Sequence, residues 1–307
     1  MRPILLVLAA AFVPATGCKW VEDMRADQGR PPRGTGAIPP VSPEQLVGYL
    51  NDRARKLQSI EYGNTRMVCY DKGIRLPATL DGNLACSQPR SFRMVGSGRM
   101  APVKIDLGSN DEQFWVYVAV PTEKPLYVFA SHTDFETGKA PLPGGIPFEP
   151  SWVMQALGMT VLPPTMQYQV KTNEKDRTYT LYWTAATPNG QQVTKEIVFE
   201  ADTATGNRSQ IRQHVVKNLN GKVICVADIK SAKTLQPAPG EVAGPHAQYP
   251  THVSLKWLEQ RFEMDLTLEN ATVNQAPNAD RAGHLFSRPK IANVPAVDLA
   301  KYEFFNK

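Results

Sequence analysis

Two hydrophobic periods divide the chain. Leu46, Leu50, Ala54 and Leu57 recur at the three-to-four spacing of one helix face, while Asn51, Asp52, Arg55 and Lys56 occupy the opposite side. Ser42, Pro43, Glu44 and Gln45 form a helix start: Ser42 as N-cap, Pro43 at the first helical position, and Gln45 placed to complete a capping box. The pattern predicts an amphipathic helix of about four turns ending near Ser59. Its apolar stripe must cover something.

From Tyr62 onward the period falls to two. Val103, Ile105 and Leu107 alternate with Lys104 and Asp106, and Met166, Tyr168 and Val170 with Gln167, Gln169 and Lys171. Tyr179, Leu181 and Trp183 alternate with threonines, and Phe262, Met264, Leu266 and Leu268 with Glu263, Asp265 and Thr267. Alternation of this kind marks antiparallel strands with one apolar face. Turn signals at Asp81-Gly82, Gly108-Ser109-Asn110, Asn189-Gly190, Thr205-Gly206-Asn207 and Asn220-Gly221 separate them. About ten or eleven strands are expected between Tyr62 and Val273. A short second helix is expected over 149–159, with Trp152, Ala156 and Met159 on one side.

These elements predict a mainly β (α+β) fold in one domain. A sheet of this size curls or closes. If it curls incompletely over a helix, an apolar hollow remains. The candidate lining is Leu46, Leu50, Met67, Phe92, Met94, Trp115, Met166, Tyr168, Tyr179 and Trp183. The alternative is that these side chains fill a closed core, as most large apolar residues do.

The first residues change the picture. Arg2, an apolar run from Ile4 to Val13, and the small residues Ala15, Thr16 and Gly17 have the layout of a secretory signal over 1–17. The run is too short to span a bilayer. Cys18 follows directly, and small residues before a cysteine resemble the lipobox of bacterial lipoproteins, in which the thiol takes a diacylglycerol. Ala15 stands where Leu is usual. The alternative is an ordinary secretory signal with Cys18 an incidental thiol. Residues 18–41, rich in Pro, Gly and charge, read as an extended tether. About 24 flexible residues have a root-mean-square reach of roughly 25–30 Å. The folded domain is then 42–307, with an irregular tail from about 277.

Composition excludes several classes of function. The chain has 307 residues, 42% of them hydrophobic and 21% charged, and a formal charge of +5, too mild and too scattered to imply nucleic acid. Its four cysteines show no metal-ligand spacing, so neither a metal nor a cofactor is expected. Cys69 and Cys86, 17 positions apart in a hairpin-like stretch, are a candidate disulfide in an oxidising compartment. Cys225 alternates with Val223, Ala227 and Ile229 and reads as a small buried hydrophobe. No HExxH, GxSxG, Walker or GxGxxG motif is present, and the five histidines are scattered, each reading as a surface or loop residue. No enzymatic activity is expected.

Two stretches carry a resemblance: "PRSFRMVG" at 89–96 and "KIDLGSNDEQFWVYV" at 104–118. A P…FR strand followed by a D-x-G-S-N-x-E-x-F-W-x-Y hairpin resembles the bacterial lipoprotein carrier and receptor superfamily of the Lol pathway (LolA/LolB-like), above all its lipid-anchored members of unassigned role. "LFSRP" at 285–289 is similar to the family's ending. The resemblance implies an incomplete antiparallel β-barrel, capped by helices, whose apolar cavity holds acyl chains. It implies a membrane partner through the N-terminal lipid and an acyl chain, lipid or lipoprotein as ligand, with a role in lipoprotein sorting or outer-membrane biogenesis. The alternative partner is an envelope protein, engaged by the loops at 138–147 and 236–250 of a filled, structural barrel. Lys19, rather than Asp, follows Cys18, which favours the outer membrane over the inner. Within the motif, Phe114, Val116 and Val118 face one way and Trp115 and Tyr117 the other, as expected of a strand packed on both sides.

Overall fold

The computed structural model describes residues 37–71, 77–99, 102–121, 123–140, 150–187, 190–201, 210–235, 247–275 and 284–302. The signal segment, Cys18 and most of the tether lie outside them, as do most of the 138–147 and 236–250 loops and the first part of the tail.

Helix α1 spans Pro43–Lys56. The capping box is present: Gln45 N–H donates to Ser42 Oγ, and Ser42 N–H donates to Gln45 Oε1 at 2.8 Å. Arg53, Arg55 and Lys56 in the last turn complement the helix dipole. Its covered face is wider than the apolar stripe alone, for Asn51 and Arg53 are buried together with Leu46, Leu50 and Ala54. Asn51 is therefore not on the solvent side as its polarity suggested. Its amide donates to Leu162 O at 3.0 Å and accepts from Leu162 N–H at 2.7 Å, so the side chain is satisfied inside.

The strands are β1 (Ser59–Asp71), β2 (Ala78–Ser87), β3 (Ser91–Gly98), β4 (Lys104–Ser109), β5 (Gln113–Ala119), β6 (Leu126–Ser131), β7 (Gln169–Asn173), β8 (Thr178–Ala186), β9 (Gln192–Glu200), β10 (Ile211–Asn218), β11 (Val223–Thr234), β12 (Gln248–Trp257), β13 (Phe262–Val273) and β14 (Val297–Asp298). They form one open sheet in the order β14-β6-β5-β4-β3-β2-β1-β13-β12-β11-β10-β9-β8-β7. Neighbours are antiparallel, except β14, which lies parallel to β6. Two meanders, β1 to β6 and β7 to β13, are thus zipped together by β1 and β13, from Ile60↔Val273 to Asp71↔Phe262. The count exceeds the expected ten or eleven because several strands are apolar on both faces and hide their period. Met166 and Tyr168, expected within a strand, precede β7 as coil.

The topology forces one feature. β6 and β7 stand at opposite sides of the sheet, so the chain between them must cross a face. It does so through α2 (His132–Glu136), a helix absent from the sequence expectation, and α3 (Pro150–Ala156), shorter than the expected 149–159. Trp152, Val153, Met154, Leu157 and Met159 enter a core shared with Met67, Phe92, Met94, Phe114, Val128, Leu255 and Trp257. Residues of β6 and β12 meet in that one cluster, so the sheet curls around the crossing chain.

A second cluster lies under α1. Leu46, Leu50 and Leu162 pack with Tyr179, Leu181, Trp183, Ile197, Phe199 and Ile211 of β8 to β10. Ile38 is buried there too, and Tyr179 O–H donates to Pro39 O. The tether therefore does not run free to residue 41: apolar Ile38 and Val41 give the chain a reason to dock before α1 begins.

Candidate apolar site and its two covers

The ten residues read as cavity lining separate into three places. Met67, Phe92 and Met94 lie in the core around α3. Leu46, Leu50, Tyr179 and Trp183 are buried under α1, with Met166 and Tyr168 packed against them. The Tyr168 and Trp183 rings meet edge to face at 5.4 Å, and Tyr168 O–H donates to Pro163 O at 2.9 Å. Burial pushes the Tyr168 hydroxyl up to about 12, so it remains a neutral donor. Trp115 belongs to neither cluster.

Trp115 lies on the opposite face of the sheet. Phe114 and Val116 enter the inner core, and alternation turns Trp115 outward. It is nonetheless fully buried. Its indole rests on Gly108, where a Cβ would sit 2.2 Å from the ring. Trp115 Nε1–H donates to Asp106 Oδ1 at 2.9 Å, and Asp106 takes a two-point ion pair from Arg93 at 3.2 and 2.8 Å. The remaining Arg93 nitrogen donates to His284 O and Leu285 O at 3.1 and 3.0 Å. Asn110 donates to Phe286 O, Tyr127 O–H to Pro289 O, and the Arg288 guanidinium sits 3.8 Å over the Phe129 ring. Residues 284–289 are therefore a strap across the outer face of β3 to β6. The strap returns at β14, where Leu299 N–H donates to Phe129 O and Leu299 is buried in the inner core. Sequence reasoning noted both the D-x-G-S-N…W motif and the LFSRP segment. It missed that one binds the other.

The disulfide expectation is corrected. Cys69 pairs in register with Ala78, and Cys86 with Ile60. The two stand at opposite ends of the β1–β2 ladder, separated by eight residues of β2, or about 26 Å. A disulfide needs α-carbons within about 7 Å. Neither cysteine is in a disulfide, nor is Cys225. Burial pushes Cys69 up to about 11 and Cys86 higher still, so neither is a ready nucleophile. Among the described residues no group of three or more His, Cys, Asp or Glu is placed to hold a metal ion, and no helix is long and apolar enough to cross a membrane.

Between α1 and the sheet lies a polar island that the pattern did not foretell. Arg53 and His214 are both buried. Arg53 donates through Nε and Nη2 to Gln248 O at 3.2 and 2.7 Å and has a hydrogen bond to Tyr49. Burial lowers its proton affinity. His214 is held down to about 3, first by burial and then by the Arg53 charge, so its ring is neutral. His214, expected at the surface, faces inward because its register partners Ala227 and Ile197 are both buried. The signal that finds Arg53 is positional: it lies seven residues after Leu46 and three after Leu50, in the middle of the apolar stripe.

Neither a family model nor a curated protein matches the chain. Several solved structures are similar to it, among them the following three. One is a putative outer membrane lipoprotein-sorting protein domain from Vibrio parahaemolyticus (9% identity, TM-score 0.46, covering 80% of this chain and 100% of that one). Another is a LolA superfamily protein from Nitrosomonas europaea (10%, 0.45, 81% and 99%). The third is a DUF1329 family protein from Desulfovibrio piger (8%, 0.45, 78% and 94%).

Proposed function

We propose that this chain is a lipid-anchored lipoprotein of the bacterial cell envelope that takes an acyl chain, free or as part of a lipid or lipoprotein, onto the apolar inner face of its sheet. One observation carries this reading. The inner face is covered not by a second sheet but by α1, α3 and the coil between 157 and 168, with α1 joined to its surroundings by side-chain hydrogen bonds of Asn51 and Arg53 and, at its last turn, of Gln88 and Asn274. Helices and coil of this kind can move aside without breaking the β ladders. Each CH₂ buried against the exposed wall contributes about 0.8 kcal/mol. The sequence resemblance to the lipoprotein carriers and receptors points the same way. Cys18 is the anchor, and Lys19 after it favours the outer membrane. Ile38, 20 residues after Cys18, is docked in the cluster under α1. A tethered domain acts as a receptor or a resident, not a shuttle. The ligand serves lipoprotein sorting or outer-membrane biogenesis.

Native mass spectrometry of the purified protein, with displacement of a fluorescent fatty acid, tests the reading. A bound lipid and saturable displacement are expected; a bare protein mass with no displacement overturns it.

A second reading has its own observation. The void under α1 between Leu50, Leu162, Ile197 and Ile211 is only about 10 Å³. A void this small leaves side chains nearly filling the space at that place, which fits a structural lipoprotein engaging an envelope protein. Cross-linking to one envelope partner, with no lipid recovered, selects this reading over the first.

A further inference from the structure

Arg53 and His214 share that 10 Å³ void with Leu50, Leu162, Ile197 and Ile211. It is about the size that admits one water-sized particle. Arg53 Nη1 and both ring nitrogens of His214 are buried without a hydrogen-bond partner among the described residues. Buried polar atoms are nearly always satisfied, so three orphans at one void call for an occupant. The charge says which kind. Arg53 is a cation whose partners are neutral: the Gln248 carbonyl, twice, and Tyr49. No carboxylate among the described residues reaches it. A buried ion without a counter-charge is strongly destabilising. A water would satisfy the donors and leave that charge uncompensated. A monatomic anion, only slightly larger, accepts from Arg53 Nη1–H and from one His214 N–H in its neutral tautomer, and it also cancels the charge.

We propose that Arg53 and His214 form a buried binding site for a single halide-sized anion, chloride under ordinary conditions, which seats α1 on β9 and β10. Leu50, Leu162, Ile197 and Ile211 are the apolar part of its lining, and the small volume favours a monatomic ion over a polyatomic one. This inference does not depend on the acyl-chain reading, since it concerns the closed state.

The test is crystallisation of the protein in sodium bromide, with anomalous difference maps collected at the bromine edge. A peak between Arg53 and His214 is expected in the wild type, and none in Arg53→Met. Density without an anomalous signal means an ordinary water and overturns the proposal. A peak that persists in Arg53→Met marks an adventitious ion only and also overturns it. Thermal unfolding provides a readout that needs no crystal. Replacing chloride by gluconate at constant ionic strength is expected to lower the wild-type Tm by roughly 3–8 °C, the shift for a site held at ten- to thirty-fold over its Kd. No anion dependence in the wild type overturns the proposal, whether or not the variant folds.

Discussion

His214 is the residue whose chemistry is most displaced by its surroundings. Its folded value of about 3 lies far below the ordinary 6.5 of an exposed imidazole. Between those values the unfolded chain binds a proton that the folded one refuses. Stability therefore falls as pH drops below 6.5, by about 1.4 kcal/mol per pH unit at most, until pH 3 is reached. Urea unfolding of the wild type and of His214→Gln between pH 4 and 7 checks this: the difference between them should narrow steadily toward acid. Gly108 gives a second prediction. A Cβ there meets the Trp115 ring at 2.2 Å, so Gly108→Ala should cost about 1–3 kcal/mol and alter the near-ultraviolet circular dichroism. The cysteines give a third. Peptide mapping under non-reducing conditions should recover Cys69 and Cys86 unlinked, since the β1–β2 register holds them at opposite ends.

Among the elements, the strap at 284–289 has the most to lose from one change. Arg93 joins Asp106 on β4 to two strap carbonyls, and both partners of that ion pair are largely buried. Among the described residues, Arg93→Met leaves Asp106 with the Trp115 indole as its one side-chain donor and should cost about 3–5 kcal/mol. Where the fold survives, the strap should lift. Trp115 emission should shift to the red and become open to acrylamide, while the inner tryptophans stay shielded. The elements also mark where the sequence was readable. α1 was legible to the residue at its start, because Ser42, Pro43 and Gln45 satisfy the orphan backbone groups locally. Clean alternation revealed β4, β8 and β13. The strap, α2 and the burial of Asn51 were not legible. Each depends on a partner more than 90 residues away or on a five-residue turn of helix, and no local period records such a partner. The lining of the candidate site was legible as apolar. Whether a side chain faces the inner core, the α1 cluster or the strap is decided by strand register, which was not.

At the scale of the whole molecule, the open sheet leaves its two edges far apart, and the connection from β6 to β7 is obliged to cross the inside. That crossing divides the interior. One half is a large core built on α3, where truncating Met67 or Phe92 should cost about 2–5 kcal/mol, as at any close-packed position. The other half, under α1, is the smaller cluster, carries a polar island, and is joined to the helix by Asn51 and Arg53. On the proposed acyl-chain reading, the first half gives stability and the second opens. Hydrogen exchange measured with and without a long-chain fatty acid below its micelle concentration tests this most directly. Amides of Pro43–Lys56 should lose protection when the ligand is present, while the β1–β13 ladder keeps its own. Unchanged protection of α1 at saturating fatty acid would contradict the account.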